Sequence, residues 1–572
     1  MKLRAEKKFA VKRCVLSAVP IAALVLASCN PAPKYSKPPA PAPTAYKETA
    51  PPEYKEGNGW KLAEPVDDKL RGKWWEIYND PQLNALEEQV AGANQTIIAA
   101  EANYRVAKAL VVSARSQLFP TISASPSYAN SRFSQTSKAS SVTTTGGTTS
   151  SGSTGTTTTG TGTTGTGTTG TTTGTGTAGN SSVKGAVNEY SLPFEASYTV
   201  DFWHRIRNQI AANAYAAQSS AADIGTAILS AQAQLADDYF QVRSLDTQRK
   251  ILDDTVASYR QALELTRNLF NVGIDSDLDV AQAQTQLDTS IAQQTDLGVA
   301  RATYEHAIAV LTGKPPADFA LAVAPFNPNP PQVPVGVPSS LLERRPDIAS
   351  AERTVASANA SIGVARAAFY PNLTLSASGG FQTTSFTQWF NWPSRFWSVG
   401  PQLAQTLFDG GARRALNEEA QAQYDASVAN YRETVLSAFQ AVEDNLVSLR
   451  VLSQEAVQEH TAVLSAEHYL DLALTRYKTG VDSYLTVITA QTALLTNRET
   501  EVGVQLRQMT ASVGLIEALG GGWDPNSLPN MRHLIQKDRK WSPAGPMPPN
   551  PPTVAPPNPP PVSPTIPAVP KN

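Results

Sequence analysis

A chain of 572 residues, 41% hydrophobic, 17% charged and with a formal net charge of −2, can bury a sizeable core but is too lightly charged for a nucleic-acid binder. The balance is uneven: Lys2, Arg4, Lys7, Lys8, Lys12 and Arg13 against Glu6 put +5 into the first 28 residues and leave −7 on the rest. The 42 Pro and 35 Gly argue against uniformly compact packing, and their placement decides the architecture.

The first 28 residues have the layout of an export signal, a basic start followed by an apolar run over residues 15–26. That run is too short to remain as a spanning helix. Leu26-Ala27-Ser28-Cys29 resembles the lipobox of bacterial lipoproteins, which predicts a mature chain beginning at Cys29 with lipid on its thiol. By the same resemblance, Asn30 directs the protein to the outer membrane. Cys14 lies in the discarded part, so no disulfide can form within the mature chain.

A Pro-rich linker over 29–60 leads into a helical run over 82–118 that ends at Phe119-Pro120. Ile122, Ala124 and Tyr128 phase a short strand, and residues 138–182 are almost pure Thr, Gly and Ser. Over 191–202 every even position is apolar and, Pro193 set aside, no odd one is, a period-2 strand pattern about a dozen residues long. Residues 204–272 then contain no Pro and only Gly225, and a second Pro-free stretch returns over 273–313. The order repeats after a 314–338 linker: helical run 339–369, alternating strands over 372–381 and 397–407, an uninterrupted rod over 412–479 and a return over 480–520. Residues 526–572 form a C-terminal segment with a Pro-rich tail.

The repetition is a duplication. Ala114-Arg115 to Ser123 matches Ala365-Arg366 to Thr374 at an offset of 251, and Val272-Gly273-Ile274-Asp275-Ser276 matches Thr479-Gly480-Val481-Asp482-Ser483 at 207. The difference of 44 is about the length of the Thr/Gly tract, which is thus an insertion in the first copy. The copies are bounded at 61–313 and 339–525. Each rod predicts a helix of about 100 Å, far longer than a globular helix and in need of a partner rod. The glycines supply the positive φ that ends each rod. Four strands of membrane length with one apolar face cannot close a barrel alone, so their edges would pair with other subunits. Alternation alone also allows a small soluble sheet packed on helices.

These residues resemble a known family, the outer-membrane channel lipoproteins of tripartite efflux systems, the group that includes the TolC and OprM channels and the NodT type. The resemblance rests on Trp74-Trp75 with Asp80-Pro81-Gln82-Leu83, on Leu341-Leu342-Glu343-Arg344-Arg345-Pro346-Asp347-Ile348 with Ala351-Glu352, and on Phe369-Tyr370-Pro371. Leu407-Phe408-Asp409-Gly410-Gly411 and Gly480-Val481-Asp482-Ser483-Tyr484-Leu485-Thr486-Val487 complete the set. It spans about residues 60 to 525. It implies a mainly α fold with a membrane β-barrel: duplicated long helical hairpins forming a trimeric α-barrel, and four strands per subunit forming a shared 12-stranded barrel. It also implies a homotrimer working with a periplasmic adaptor and an inner-membrane RND-type pump.

By resemblance, the adaptor docks at Val272-Gly273-Ile274 and Thr479-Gly480-Val481, and the pore constriction lies just beyond. The matching positions are Asp279 and Gln282 in the first copy and Thr486 and Thr489 in the second, where the family's usual aspartate is missing. Asp279 is equally readable as a solvated helix-surface residue. No catalytic or metal-binding set is expected: the five histidines form no metal spacing, there is no nucleophile elbow, and no cofactor is implied beyond the lipid on Cys29. The rods interleave Lys and Arg with Asp and Glu, which disfavours nucleic acid as a partner. Two other readings stay open, a lipid-anchored periplasmic coiled-coil scaffold or adaptor, and a duct for type I protein secretion.

Overall fold

The computed structural model describes residues 30–40, 43, 46–48, 72–132, 186–331, 344–524 and 528–536. Cys29, the 138–182 tract, Leu341-Leu342-Glu343 and the Pro-rich tail lie outside the described residues. The chain divides into two units, Met1–Ile535 and Gln536–Asn572, and the fold described here is that of the first.

Its helices are α1 (Pro81–Ala93), α2 (Gln95–Ser116), α3 (Arg205–Asn271), α4 (Asp277–Leu311), α5 (Pro346–Ala367), α6 (Ala412–Lys478), α7 (Tyr484–Ala518) and the short α8 (Met531–Gln536). The two copies match in length: 22 residues in α2 and α5, 67 in α3 and α6, and 35 in α4 and α7. The helical run expected over 82–118 is interrupted. Asn94 is buried at the break, where its side-chain oxygen accepts from Thr96 N (2.9 Å) and Ile97 N (3.3 Å) and its amide donates to Leu311 O (3.1 Å). An N-cap stops one helix and starts the next, with only a weak trace in the apolar pattern.

The strands are β1 (Thr121–Ala124), β2 (Ser127–Ser131), β3 (Val187–Val200), β4 (Asn372–Thr383) and β5 (Arg395–Ala404). β1 and β2 both pair with β3, end to end, so together they occupy one position in an antiparallel β1/β2–β3–β4–β5 sheet. The single first strand expected from Ile122, Ala124 and Tyr128 is thus split at Ser125-Pro126. Proline has no N–H to continue a ladder, and only Ser125 N donates across the gap, to Pro193 O (3.3 Å). The last strand begins and ends earlier than the 397–407 pattern suggests, because Leu407 and Phe408 lie beyond the ladder.

The main core lies where α1, α3, α5, α6 and α7 converge, around Trp74, Leu83, Tyr239, Val242, Ile348, Tyr431 and Val442. The family motifs build its joints. Asp80 caps α1 through Gln82 N (2.9 Å) and Leu83 N (3.2 Å) and accepts the Tyr239 hydroxyl (2.5 Å). Arg345 forks onto Asp347 (3.0 and 2.6 Å) and donates to Ala518 O (2.8 Å), tying the start of α5 to the end of α7. The segment after α4 is clamped by a buried ion cluster. Arg243 and Arg301 share Asp246 (3.1 and 2.7 Å) and donate to Ala322 O and Leu321 O (both 2.7 Å). So buried a network holds its linker firmly only when every member is bonded.

Candidate conduit: sheet wall and helix tips

Register gives the sheet two unlike faces. Opposed residues in an antiparallel pair share a face, so Ile122, Ala196, Ala377 and Val399 align, as do Tyr198, Leu375 and Pro401. On this face Ile122 is 76% exposed, Trp397 76%, Val399 71% and Leu403 69%. The other face carries Ser123, Glu195, Ser197, Thr199, Thr374, Ser376, Ser378 and Gln402. So large an apolar surface left to water is costly and marks contact with lipid or protein.

Aromatic rings bound the apolar band at both ends. At one end Tyr128, Tyr190, Phe386, Trp389, Phe390 and Phe381 form a continuous set with centroids 5.0 to 6.0 Å apart. At the other, Trp203 stacks on Tyr370 at 4.5 Å and donates its indole N–H to Pro371 O. From Leu373 to Phe381 the strand runs about 25 Å along its own axis, the length of a tilted membrane strand. All four helices joined to the sheet, α2, α3, α5 and α6, leave from the Trp203 end. At the far end Ser131 pairs with Val187, so the neighbouring ends of β2 and β3 lie remote from the helices. Among the described residues no helix is long and apolar enough to cross a membrane.

About 100 Å along the rods from the sheet, both hairpins turn in the same way. Gly273 (φ +80°) and Gly480 (φ +73°) take the left-handed conformation. The N–H of Ile274 donates to Leu269 O and that of Val481 to Arg476 O, both at 2.9 Å, while Gly273 and Gly480 donate to Phe270 O and Tyr477 O. These are paired Schellman turns. Val272, Ile274 and Val481 stand exposed at them.

The predicted constriction residues lie just past the turns, at the starts of α4 and α7. Asp279 is half-buried and closes a capping box: its carboxylate accepts from Ser276 Oγ (2.6 Å) and Ser276 N (3.3 Å). Gln282 is half-buried, with a side-chain oxygen that has no partner among the described residues. Thr486 is half-buried, and exposed Thr489 donates its hydroxyl to Leu485 O (2.9 Å).

A link that sequence reasoning missed joins the two tips. The Tyr477 hydroxyl bonds to Asp275 in the first turn and lies 3.0 Å from Thr266 Oγ1. Burial, then the Asp275 bond, drives the Tyr477 pKa well above the ordinary phenol value. Burial pushes neighbouring Tyr484 up to about 12. The available signal was a mismatch between copies: Tyr477 stands where the first copy has Phe270. In the second turn Arg476 forks onto Asp482 (2.6 and 3.0 Å) and holds that carboxyl below its usual range.

With this geometry in hand, the profile of the outer membrane efflux protein family matches residues 86–314 and 337–521. The chain belongs to that family. Among its relatives, the Pseudomonas putida protein named as probable efflux pump outer membrane protein TtgC is 27% identical over 511 residues, covering 89% of this chain and 96% of that one. The Pseudomonas aeruginosa pyoverdine export outer membrane protein OpmQ is 30% identical over 454 residues, covering 79% and 87%. The solved structure of the Campylobacter jejuni CmeC outer membrane channel superposes with a TM-score of 0.74 at 20% identity, covering 89% of this chain and 98% of that one. The Neisseria gonorrhoeae MtrE channel gives 0.67 at 22%, covering 87% and 99%. This outer membrane efflux protein therefore has the helical-barrel and β-barrel channel fold, is an outer-membrane component of an efflux system, and resides in the outer membrane with a long periplasmic extension.

Proposed function

We propose that this efflux protein works as a lipid-anchored homotrimer, a passive exit duct with no chemistry of its own and no cofactor beyond the Cys29 lipid. The observation that carries the reading is the sheet: among the described residues it has four strand positions, apolar on one face and polar on the other, with β1/β2 and β5 as free edges. Three such sheets joined edge to edge would leave no unpaired edge and enclose a polar lumen. The N-terminal arm supports the anchor. Asn30 accepts from Asn208 (3.0 Å) one turn into α3, and Asn359 and Arg366 donate to Pro33 O and Pro31 O beside it, so the arm starts next to the sheet.

An inner-membrane RND-type pump and a periplasmic adaptor would complete the conduit, the adaptor docking on the exposed turns at Val272-Gly273-Ile274 and Thr479-Gly480-Val481. Asp279, Gln282, Thr486 and Thr489 would line the closed tip. Relatives named for antibiotic, toluene and pyoverdine export support small organic molecules as cargo. The test is planar-bilayer conductance of the purified protein with its oligomeric mass. A three-chain particle with a cation-preferring conductance, and a weaker preference in Asp279→Asn, is expected. A non-conducting monomer would return the chain to the scaffold reading, and an unchanged preference in Asp279→Asn would remove that residue from the constriction.

A further inference from the structure

Each of the four junctions between the sheet and helices α2, α3, α5 and α6 has the same layout, an aromatic ring on the strand side and arginine on the helix side. Arg115 precedes Phe119 on the way into β1, and Arg366 precedes Phe369 and Tyr370 on the way into β4. Leaving the sheet, Trp203 is followed by Arg205 and Arg207 at the start of α3, and Phe408 by Arg413 and Arg414 at the start of α6. Trp and Tyr settle at headgroup depth, so the arginines beside Trp203 and Tyr370 fall just outside the hydrocarbon on the helical side; pairing of Thr121 with Ser197 and of Asn372 with Ala404 brings the other two junctions to the same level.

The two carboxylates at these junctions are already engaged. Asp201 accepts from Ile206 N (3.0 Å) and Arg207 N (3.1 Å), and Asp409 holds Gly411 N and the Arg413 guanidinium. Among the described residues the side chains of Arg115, Arg205 and Arg414 bond to no carboxylate, and the next acids on α6, Glu418 and Glu419, lie a turn further from the sheet. Uncompensated guanidinium groups at headgroup depth fit the phosphate of an anionic lipid in charge and fork geometry. Arg366 adds a position on the arm side, where it donates to Pro31 O.

We propose that these junctions form an arginine collar that binds the phosphates of anionic phospholipids in the periplasmic leaflet. The collar rests on the membrane placement of the sheet and adds a lipid class that the duct recognises. The test is native mass spectrometry of the detergent-purified full chain, offered phosphatidylglycerol and phosphatidylcholine in equal amounts. Wild type is expected to retain phosphatidylglycerol preferentially and to release it as salt rises. The Arg115→Gln, Arg205→Gln, Arg414→Gln triple variant should retain it at least about fivefold less, and the corresponding Lys triple should keep most of it. Equal retention of both lipids by wild type, or undiminished phosphatidylglycerol on the Gln triple, would overturn the collar. The wild-type comparison decides even where the Gln triple does not fold. Conductance of the same wild-type sample separates the two readings: a conducting protein without lipid preference sinks only the collar, and a non-conducting one sinks the duct.

Discussion

Glu87 of α1 lies wholly inside the main core, with no partner for either carboxylate oxygen among the described residues. Burial raises its pKa from 4.5 to about 9. The folded chain therefore keeps a proton that the unfolded chain gives up, so folding is penalised as pH rises above 4.5, and the penalty grows until about 9. At pH 7 this amounts to about 3 kcal/mol. Glu87→Gln should melt at a higher temperature than wild type at pH 8 and at nearly the same temperature at pH 4, followed by helix circular dichroism. An equal gain at both values would place the effect elsewhere. Nothing in the sequence marks Glu87, because a carboxylate on an amphipathic helix looks the same whether it meets water or a tryptophan-lined core. Asp80 and Arg345 were visible only as motif letters, and their partners Tyr239 and Ala518 are more than 150 residues away.

Among the elements, the rods were the easiest to read. Helices of 67 and 35 residues follow directly from stretches free of proline, ended by glycines at positive φ. The strands were legible in phase but less so in extent, since alternation cannot show where a ladder stops or that Pro126 divides one. Gly380 shows how little slack the sheet has. A Cβ there would lie 2.0 Å from Leu192 O on the neighbouring strand. Gly380→Ala should force β3 and β4 apart and prevent barrel closure. In gel electrophoresis without heating it should lose the assembled band, while circular dichroism still reports helix. A variant that assembles normally would mean that the strands part without cost.

For the whole molecule, the duplication, the two-faced sheet and the membrane-length strands together left few architectures, and the comparisons selected one. The tip link through Tyr477 was not legible, because it depends on which hairpin faces which, and long-range pairing leaves no local pattern. The free edges β1/β2 and β5 also have a genetic consequence. In the proposed homotrimer three copies would close one wall, and a copy that folds but cannot pair would spoil the two sound copies beside it. In a cell making equal amounts of wild type and Gly380→Ala, variant chains that still join through their intact helices would by random mixing leave only about one such trimer in eight built entirely of sound copies. Resistance to an exported compound should then fall far below the half expected from gene dosage, and a loss of only half would show that the defective chains never join. A defect in this protein should thus behave as dominant.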